Sequence, residues 1–179
     1  MSDYAVVTSP TSLCFTRVLP GSVEQVWAFL TESDKRGLWL ASGDMELREG
    51  GGVTLRFVHA DLSSVAEPTP APYKPYKNGV TTHGIITRCE PPRLLAFTWG
   101  GSQGQPSEVT FELSPQGEGT RLVLTHRKLA SRADMIDVAA GWHAHLGVLA
   151  ARQAGRAPGP FWSALQRWET DYQARIAAQ

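Results

Sequence analysis

Neither sign of charge is in excess in this sequence, because 17 lysine and arginine residues balance 17 aspartate and glutamate residues in a chain of 179. Non-specific affinity for nucleic acid or for an anionic membrane surface depends on a basic surplus, and no basic cluster interrupts the balance. Apolar runs are also short, and none approaches the ~18 residues that a membrane span requires. We therefore expect no nucleic-acid partner and no membrane insertion.

Cysteine is equally scarce. The chain has two, Cys14 and Cys89, which lie far apart in apolar surroundings without CxxC spacing. This pattern favours buried, reduced thiols over a disulfide or redox pair. Residues 1–10 lack the charged and apolar regions of a secretion signal. Together these features predict a cytoplasmic protein.

Sequence motifs for nucleotide binding and covalent catalysis are missing too. The glycines at 50–52 and 100–104 stand between predicted strands, where they indicate turns. No strand leads through a glycine loop into a helix, as phosphate binding requires. There is no GxSxG elbow, and neither cysteine has a neighbouring histidine. We expect no cofactor, and the sequence shows no recognisable catalytic constellation.

Alternating apolar residues predict a series of strands separated by glycine or proline turns. The strands are expected at 13–19, 45–48, 53–58, 80–90, 95–99, 109–113 and 122–126. A meander of this kind forms an antiparallel sheet. Ser22 begins a helix with a capping box that is completed by Gln25, and a short second helix is expected at 33–39.

Apolar residues at three-to-four spacing predict a long helix at 135–149 and another at 161–176, separated by the Pro-Gly-Pro sequence at 158–160. The chain is therefore α+β, with helices on one face of the sheet. We divide it into a domain at 11–155 and a helical extension at 156–179. The apolar stripe of the extension is too costly to leave in water, so this helix packs on its own domain or on a partner chain. We expect a homodimer with the helix at or near the interface.

Residues 60–79 contain four prolines, at positions 68, 70, 72 and 75. Proline at this density excludes a helix and a central strand. We predict an extended surface loop, mobile relative to the sheet, that borders the mouth of a cavity and acts as a lid.

Five stretches resemble, in order, the family named for the activator of the heat-shock-protein-90 ATPase. They are residues 17–19 with 26–27, 38–51, 87–99, 119–126 and 141–146, and the most specific reads TRCEPPRLLAFTW at 87–99. The resemblance implies the START-like helix-grip fold of the SRPBCC superfamily. In that fold a curved antiparallel sheet wraps around a long C-terminal helix and encloses a cavity for an apolar or amphipathic small molecule.

The candidate ligand-cavity residues are those on inferred inward faces. They are Arg17, Trp27, Trp39, Phe57, His59, Ile85, Phe97, Trp99, Phe111, His126, Trp142 and Leu146. Aromatic side chains line ligand sites, but they also make plain core, and both interpretations stay open.

Two polar residues on these inward faces have alternative roles. Arg17 would clamp an acidic head group or form a structural ion pair with an internal carboxylate. His126 would bind a ligand or act as general acid or base near pH 7, or it would be a satisfied core histidine.

The other histidines do not have metal-site spacing. His59 and His83 lie near the edges of the proline-rich stretch, and His143 and His145 stand two apart on a helix, so they do not share a face. We expect His143 and His145 at exposed or flanking positions, and we expect no metal ion.

Three functions remain open. The first is a binding or carrier protein for an apolar small molecule. The second is an enzyme of the cyclase, dehydratase or hydrolase type that uses the same cavity; the lack of a paired acid and base weighs against it. The third is a co-chaperone-like module with a chaperone partner. The co-chaperone of the resembled family has an additional N-terminal domain for which this sequence has no room, and this weighs against the third.

Overall fold

Seven antiparallel strands form one curved sheet in the computed structural model, which describes residues 3–100 and 105–176. The strands are β1 Val6–Ser9, β2 Ser12–Pro20, β3 Gly52–Phe57, β4 Val80–Glu90, β5 Leu94–Trp99, β6 Ser107–Gln116 and β7 Gly119–Arg127. Their order across the sheet is β1-β2-β7-β6-β5-β4-β3. The antiparallel meander and the α+β class predicted from the sequence are confirmed.

Four α-helices accompany the sheet: α1 Val23–Thr31, α2 Ser33–Gly37, α3 Arg132–Gln153 and α4 Phe161–Arg175. The capping box of α1 is confirmed, because the Gln25 main-chain N–H donates to Ser22 Oγ at 3.3 Å and the Ser22 N–H donates to Gln25 Oε1 at 2.8 Å. Each bond satisfies a main-chain donor that the first turn of a helix leaves without a partner.

The long helix α3 crosses the sheet, as expected for a helix-grip fold. The ring of Trp142 lies 5.0 Å from Trp99 on β5 and 5.7 Å from Phe111 on β6, between ring centroids. The other side of α3 is covered by α4. Because α3 is packed on two sides, its buried residues between Met135 and Leu149 occupy more than one stripe of the helix.

The predicted apolar stripe of α4 is buried against its own domain. Phe161, Trp162, Leu165 and Tyr172 are at most 6% exposed. The Tyr172 hydroxyl accepts the Ala5 N–H at 2.7 Å, which fastens α4 to the segment before β1. Docking in cis removes the reason for placing α4 at a dimer interface, and the homodimer itself stays a prediction.

Two elements differ from the sequence-based expectation. β1 was not predicted, and it lies before residue 11, where the domain was expected to begin. No regular strand forms at 45–48; Met45 and Ser42 instead make single bridges to Val53 and Arg56 of β3. Glycine at 50–52 still returns the chain, but the segment before it is too irregular to pair continuously. The turn expected at 100–104 falls on residues outside the described part, apart from Gly100.

The proline-rich stretch contains two short 3₁₀ helices, His59–Leu62 and Ala71–Tyr76, so the expectation that proline excludes helix was wrong here. A 3₁₀ turn tolerates Pro72 near its start, where the main-chain N–H has no partner, whereas Pro75 stands further inside the same 3₁₀ helix. The stretch also packs on α4. The Glu67 carboxylate accepts the main-chain N–H groups of Trp162 at 2.9 Å and Ser163 at 3.1 Å, and the Tyr73 hydroxyl donates to the carboxylate of Glu169.

Both cysteines are free and half-buried rather than fully buried. In the described ranges, no helix combines the length and the apolar character needed to cross a membrane.

Candidate functional site

A pocket of about 190 Å³ lies between the sheet and α3. We call it the interior pocket; its lining residues are Leu40, Trp99, Asp137, Val138, Gly141, Trp142 and His145. Trp99 reaches it from the last position of β5. On α3, no atom lies within 4 Å of the place that a Cβ on Gly141 would occupy. The missing side chain at this position therefore leaves part of the space open.

His145 gives the interior pocket a hydrogen-bond acceptor. Its Nδ1 lies 2.8 Å from the main-chain oxygen of Trp39, so Nδ1 carries the proton and donates. Nε2 is then the acceptor of the neutral ring, and no residue in 3–100 or 105–176 donates to it. Burial, assisted by nearby His59, lowers the pKa of His145 to about 3, so the ring stays neutral near pH 7.

The mouth of the interior pocket is acidic. Asp137 is exposed there, and partial burial raises the pKa of its carboxyl, with further contributions from Glu169 and Asp134. Carboxyl groups that raise one another's pKa repel a further anion. The mouth therefore favours a neutral or cationic ligand.

His126 is buried and has a hydrogen-bond partner at each ring nitrogen. The Trp142 Nε1–H donates to His126 Nδ1 at 2.9 Å, so Nε2 carries the proton and donates to Ser107 Oγ at 2.7 Å. The Ser107 hydroxyl donates onward to the main-chain oxygen of Trp99 at 3.3 Å. The ring is 0% exposed, and burial lowers the pKa of His126 to about 4. The ring is therefore neutral near pH 7.

A larger groove of about 760 Å³ runs between α3, α4 and the end of β2. We call it the α3–α4 groove. Arg17 lies in this groove and not in the interior pocket, although its strand register faces α3 as predicted. Its guanidinium donates to the main-chain oxygens of Thr16 at 2.9 Å and Asp3 at 2.6 Å, so the predicted ion pair with an internal carboxylate is not what holds it.

Most of the other predicted cavity residues fill the core instead of lining a cavity. Trp39, Phe97 and Phe111 are at most 2% exposed, whereas Leu146, which is also buried, lines the α3–α4 groove. Trp39 also satisfies its indole N–H, which donates to the main-chain oxygen of Phe29 at 2.8 Å. The space expected between sheet and helix is therefore mostly occupied by aromatic rings, and what remains is the interior pocket.

His59 packs under α4, and Phe57 packs against His59 with 5.9 Å between ring centroids. The His59 ring lies 5.3 Å from Phe161 and 5.1 Å from Trp162, between centroids. Trp27 is half-buried on α1, away from both the pocket and the groove.

Ile85 is a correction, because it is 53% exposed on the outer face of the sheet, whereas Ile86 is 1% exposed. A register irregularity between Ile86 and Arg88 interrupts the alternation of β4. The residue that points inward just before this bulge is Ile86, so its neighbour Ile85 points outward.

The positions expected for His143 and His145 are also corrected. Both are buried, at 6% and 7% exposure, because α4 and the sheet cover opposite sides of α3. His143 stacks on Trp168 with 3.6 Å between centroids, and its Nδ1 lies 2.9 Å from the Tyr172 hydroxyl. His83 is exposed on β4. Among the described residues, no group of three histidine, cysteine, aspartate or glutamate side chains could hold a metal ion.

Sequence reasoning missed Asp137, Gly141 and His145 in the interior pocket, and Arg167 and Gly147 in the groove. One signal was available. The two glycines inside the α3 pattern stand six residues apart, where a helix would gain stability from alanine.

Comparison with known proteins agrees with the fold. A solution structure of the protein encoded by the gene BPP1335 from Bordetella parapertussis is 48% identical, covers 99% of this chain and 95% of that chain, and has a TM-score of 0.82. The crystal structure of CalU16 from Micromonospora echinospora is 27% identical, over 93% and 89% of the two chains, with a TM-score of 0.68. A protein of unknown function, EF2215 from Enterococcus faecalis, is 19% identical over 99% and 94%, with a TM-score of 0.64, and shares the fold.

No functionally curated protein matches this chain. The model of the family described as "Activator of Hsp90 ATPase homolog 1-like protein" matches residues 20–153, which span β7, α3 and most of the sheet. The chain therefore belongs to the activator of Hsp90 ATPase homolog 1-like family, as the resemblance of its motifs indicated.

Proposed function

We propose that this protein binds a small, mostly apolar molecule built on a single ring, in the interior pocket. The observation that carries the proposal is an acceptor to which no described residue donates, Nε2 of His145, on a residue that lines the pocket beside the rings of Trp99 and Trp142. A ligand with one O–H or N–H group would give this acceptor a hydrogen bond in otherwise apolar surroundings.

The size of the pocket sets the size of the ligand. An engineered cavity of about 150 Å³ in another protein holds one benzene molecule. At about 190 Å³, the interior pocket has room for one ring with a small substituent. His145 requires a donor on that ring, and the acidic mouth at Asp137 disfavours a carboxylate. Phenol, aniline or an equivalent ring with one O–H or N–H group fits these conditions.

Calorimetric titration with phenol, benzene and benzoate tests the proposal. Phenol should bind saturably, benzene about fivefold more weakly for want of one hydrogen bond, and benzoate most weakly. Gly141→Leu should abolish phenol binding, because the new side chain enters the pocket. The matched variant Gly147→Leu, on the same helix but outside the pocket, should leave it unchanged. Phenol binding that survives Gly141→Leu, or its absence in the unmodified protein, would refute the assignment.

The alternative that the same pocket catalyses acid–base chemistry has less support. Its titratable groups are Asp137 and His145, and with a pKa of about 3 His145 is too weak a base to take a proton near pH 7. The co-chaperone alternative rests on the family name. No contact or surface among the described residues supports it, so it is not proposed here.

A further inference from the structure

We propose that the α3–α4 groove is a second binding site, separate from the interior pocket, and that it takes an amphipathic monoanion with an apolar chain. The groove exists only because α4 lies beside α3, and it offers what the interior pocket does not: length and positive charge. Three observations support this occupant.

The first is the shape and lining of the groove. Its volume of about 760 Å³ falls within the ~300–1,000 Å³ of small-molecule sites. Its α3 wall carries small side chains, including Ala144, Gly147 and Ala150, and its α4 wall includes Ala164. At a rise of 1.5 Å per residue, residues 144–150 extend about 9 Å, which suits a short alkyl chain. Gly147 is exposed, and no atom lies within 4 Å of the place its Cβ would occupy.

The second observation is the incomplete pairing of Arg17. Two of its five N–H groups are occupied, by the main-chain oxygens of Thr16 and Asp3. No carboxylate in the described part of the chain lies within ion-pair distance of it, although that of Asp3 is close enough to act on its charge. Partial burial lowers the pKa of Arg17 although the Asp3 carboxylate acts in the opposite direction, so the guanidinium has given up part of its hydration. A carboxylate head group would supply one.

The third observation is a second cation at the same end. The guanidinium of Arg167 lies 4.3 Å from the centre of the Trp168 ring, and that ring stacks on His143. After burial, Arg17 and Arg167 are the groups that most lower the pKa of His143, to about 4, so both guanidinium groups face one neutral ring. Asp3, which lines the groove beside Arg17, and Asp171 raise the pKa of His143 and so offset part of this positive charge. The site therefore suits a single negative charge rather than a phosphate.

Titration with decanoate and its neutral analogue decanol tests the site. Decanoate should bind saturably and at least tenfold more tightly than decanol, because a charge-assisted hydrogen bond adds about tenfold or more. Arg17→Met should weaken decanoate at least tenfold and leave decanol unchanged. Arg121→Met, on the neighbouring strand β7 and outside the groove, is the matched control and should change neither. Equal weakening of both ligands by Arg17→Met would overturn the anion site.

The two filling variants separate this site from the interior pocket. Gly147→Leu should abolish decanoate binding and preserve phenol binding, whereas Gly141→Leu should do the reverse. Decanoate binding lost in Gly141→Leu would overturn the second site, because the chain would then occupy the interior pocket. Absence of saturable decanoate binding would also overturn it without touching the phenol result.

Folding of the variants is checked by thermal melting. Gly147→Leu should melt no lower than the unmodified protein, because leucine favours helix over glycine. If it fails to fold, Ala164→Leu on the opposite wall fills the same groove, and decanoate binding that survives this second variant refutes the proposal.

Discussion

Replacing Trp142 by phenylalanine should reveal how much the buried chain of hydrogen bonds through His126 contributes to the free energy of unfolding. The indole N–H of Trp142 donates to His126 Nδ1 at 2.9 Å, and the Nε2–H of His126 donates to Ser107 Oγ at 2.7 Å. Phenylalanine keeps most of the aromatic contact with Trp99 and Phe111 but removes the donor. His126 Nδ1 is then left without a partner in a site that is 0% exposed.

The expected cost has two parts. An unpaired buried acceptor costs about 1–3 kcal/mol. The smaller ring adds roughly 1–2 kcal/mol, since complete truncation of a buried tryptophan to alanine costs about 3–5 kcal/mol. Trp142→Phe should therefore lower the free energy of unfolding by about 2–5 kcal/mol. Urea unfolding followed by circular dichroism measures it. The control is Trp27→Phe, at a half-buried tryptophan whose indole N–H donates to no residue in the described part of the chain.

A double-mutant cycle isolates the hydrogen bond from the loss of volume. His126→Leu alone leaves the indole N–H of Trp142 unpaired, while the double variant His126→Leu with Trp142→Phe removes donor and acceptor together. Ser107 keeps its bond to the Trp99 carbonyl in each case. The double variant should be more stable than the sum of the single effects by at least about 1 kcal/mol. Additive effects, or a cost below about 0.5 kcal/mol for Trp142→Phe, would refute the reasoning.

Three further outcomes are expected. Because burial lowers the pKa of His126 to about 4 and of His145 to about 3, the unfolded chain binds more protons than the folded protein below pH 6.5. Each of the two histidines should therefore lower the free energy of unfolding by about 2 kcal/mol between pH 7 and pH 5. An unchanged urea midpoint over this range would contradict the reasoning. Glu67→Gln should weaken the α4 N-terminus by about 1 kcal/mol and speed proteolysis within 60–79, whereas Asp61→Asn should not. Deleting residues 158–179 should lower the free energy of unfolding by several kcal/mol. Light scattering on the full chain tests the homodimer, and a monomeric mass at tens of micromolar would exclude it.

The sequence predicted the fold well where one periodicity decided the outcome. The strand at 80–90 and the cap at Ser22 were confirmed because a proline pair, a glycine turn or a capping box acts within a few residues. Burial of the α4 stripe followed from its apolar pattern, but the sequence could not say which surface it would cover. That choice depends on the shape of α3 and of the 60–79 stretch, which are set elsewhere in the chain.

The candidate site was harder to predict because its shape depends on how the elements pack together rather than on the periodicity of apolar residues. His143 and His145 were expected at exposed or flanking positions, since nothing local reveals that α4 covers the outer side of α3. Ile85 was placed inward by alternation alone, which cannot detect a bulge at the next residues. Arg17 was assigned the correct face, but α4 turns that end of β2 into a groove that no strand pattern could indicate.

The carboxylate of Glu67 that caps α4 also orders events during synthesis. Its main-chain partners, Trp162 and Ser163, follow it by 95 and 96 residues. At about 5–20 residues per second, a ribosome needs roughly 5–20 seconds to make the intervening chain. During that interval the 60–79 stretch has no α4 to bind, so His59 stays uncovered on the side that α4 later packs against. The α3–α4 groove can therefore form only after this interval, once α4 has been made.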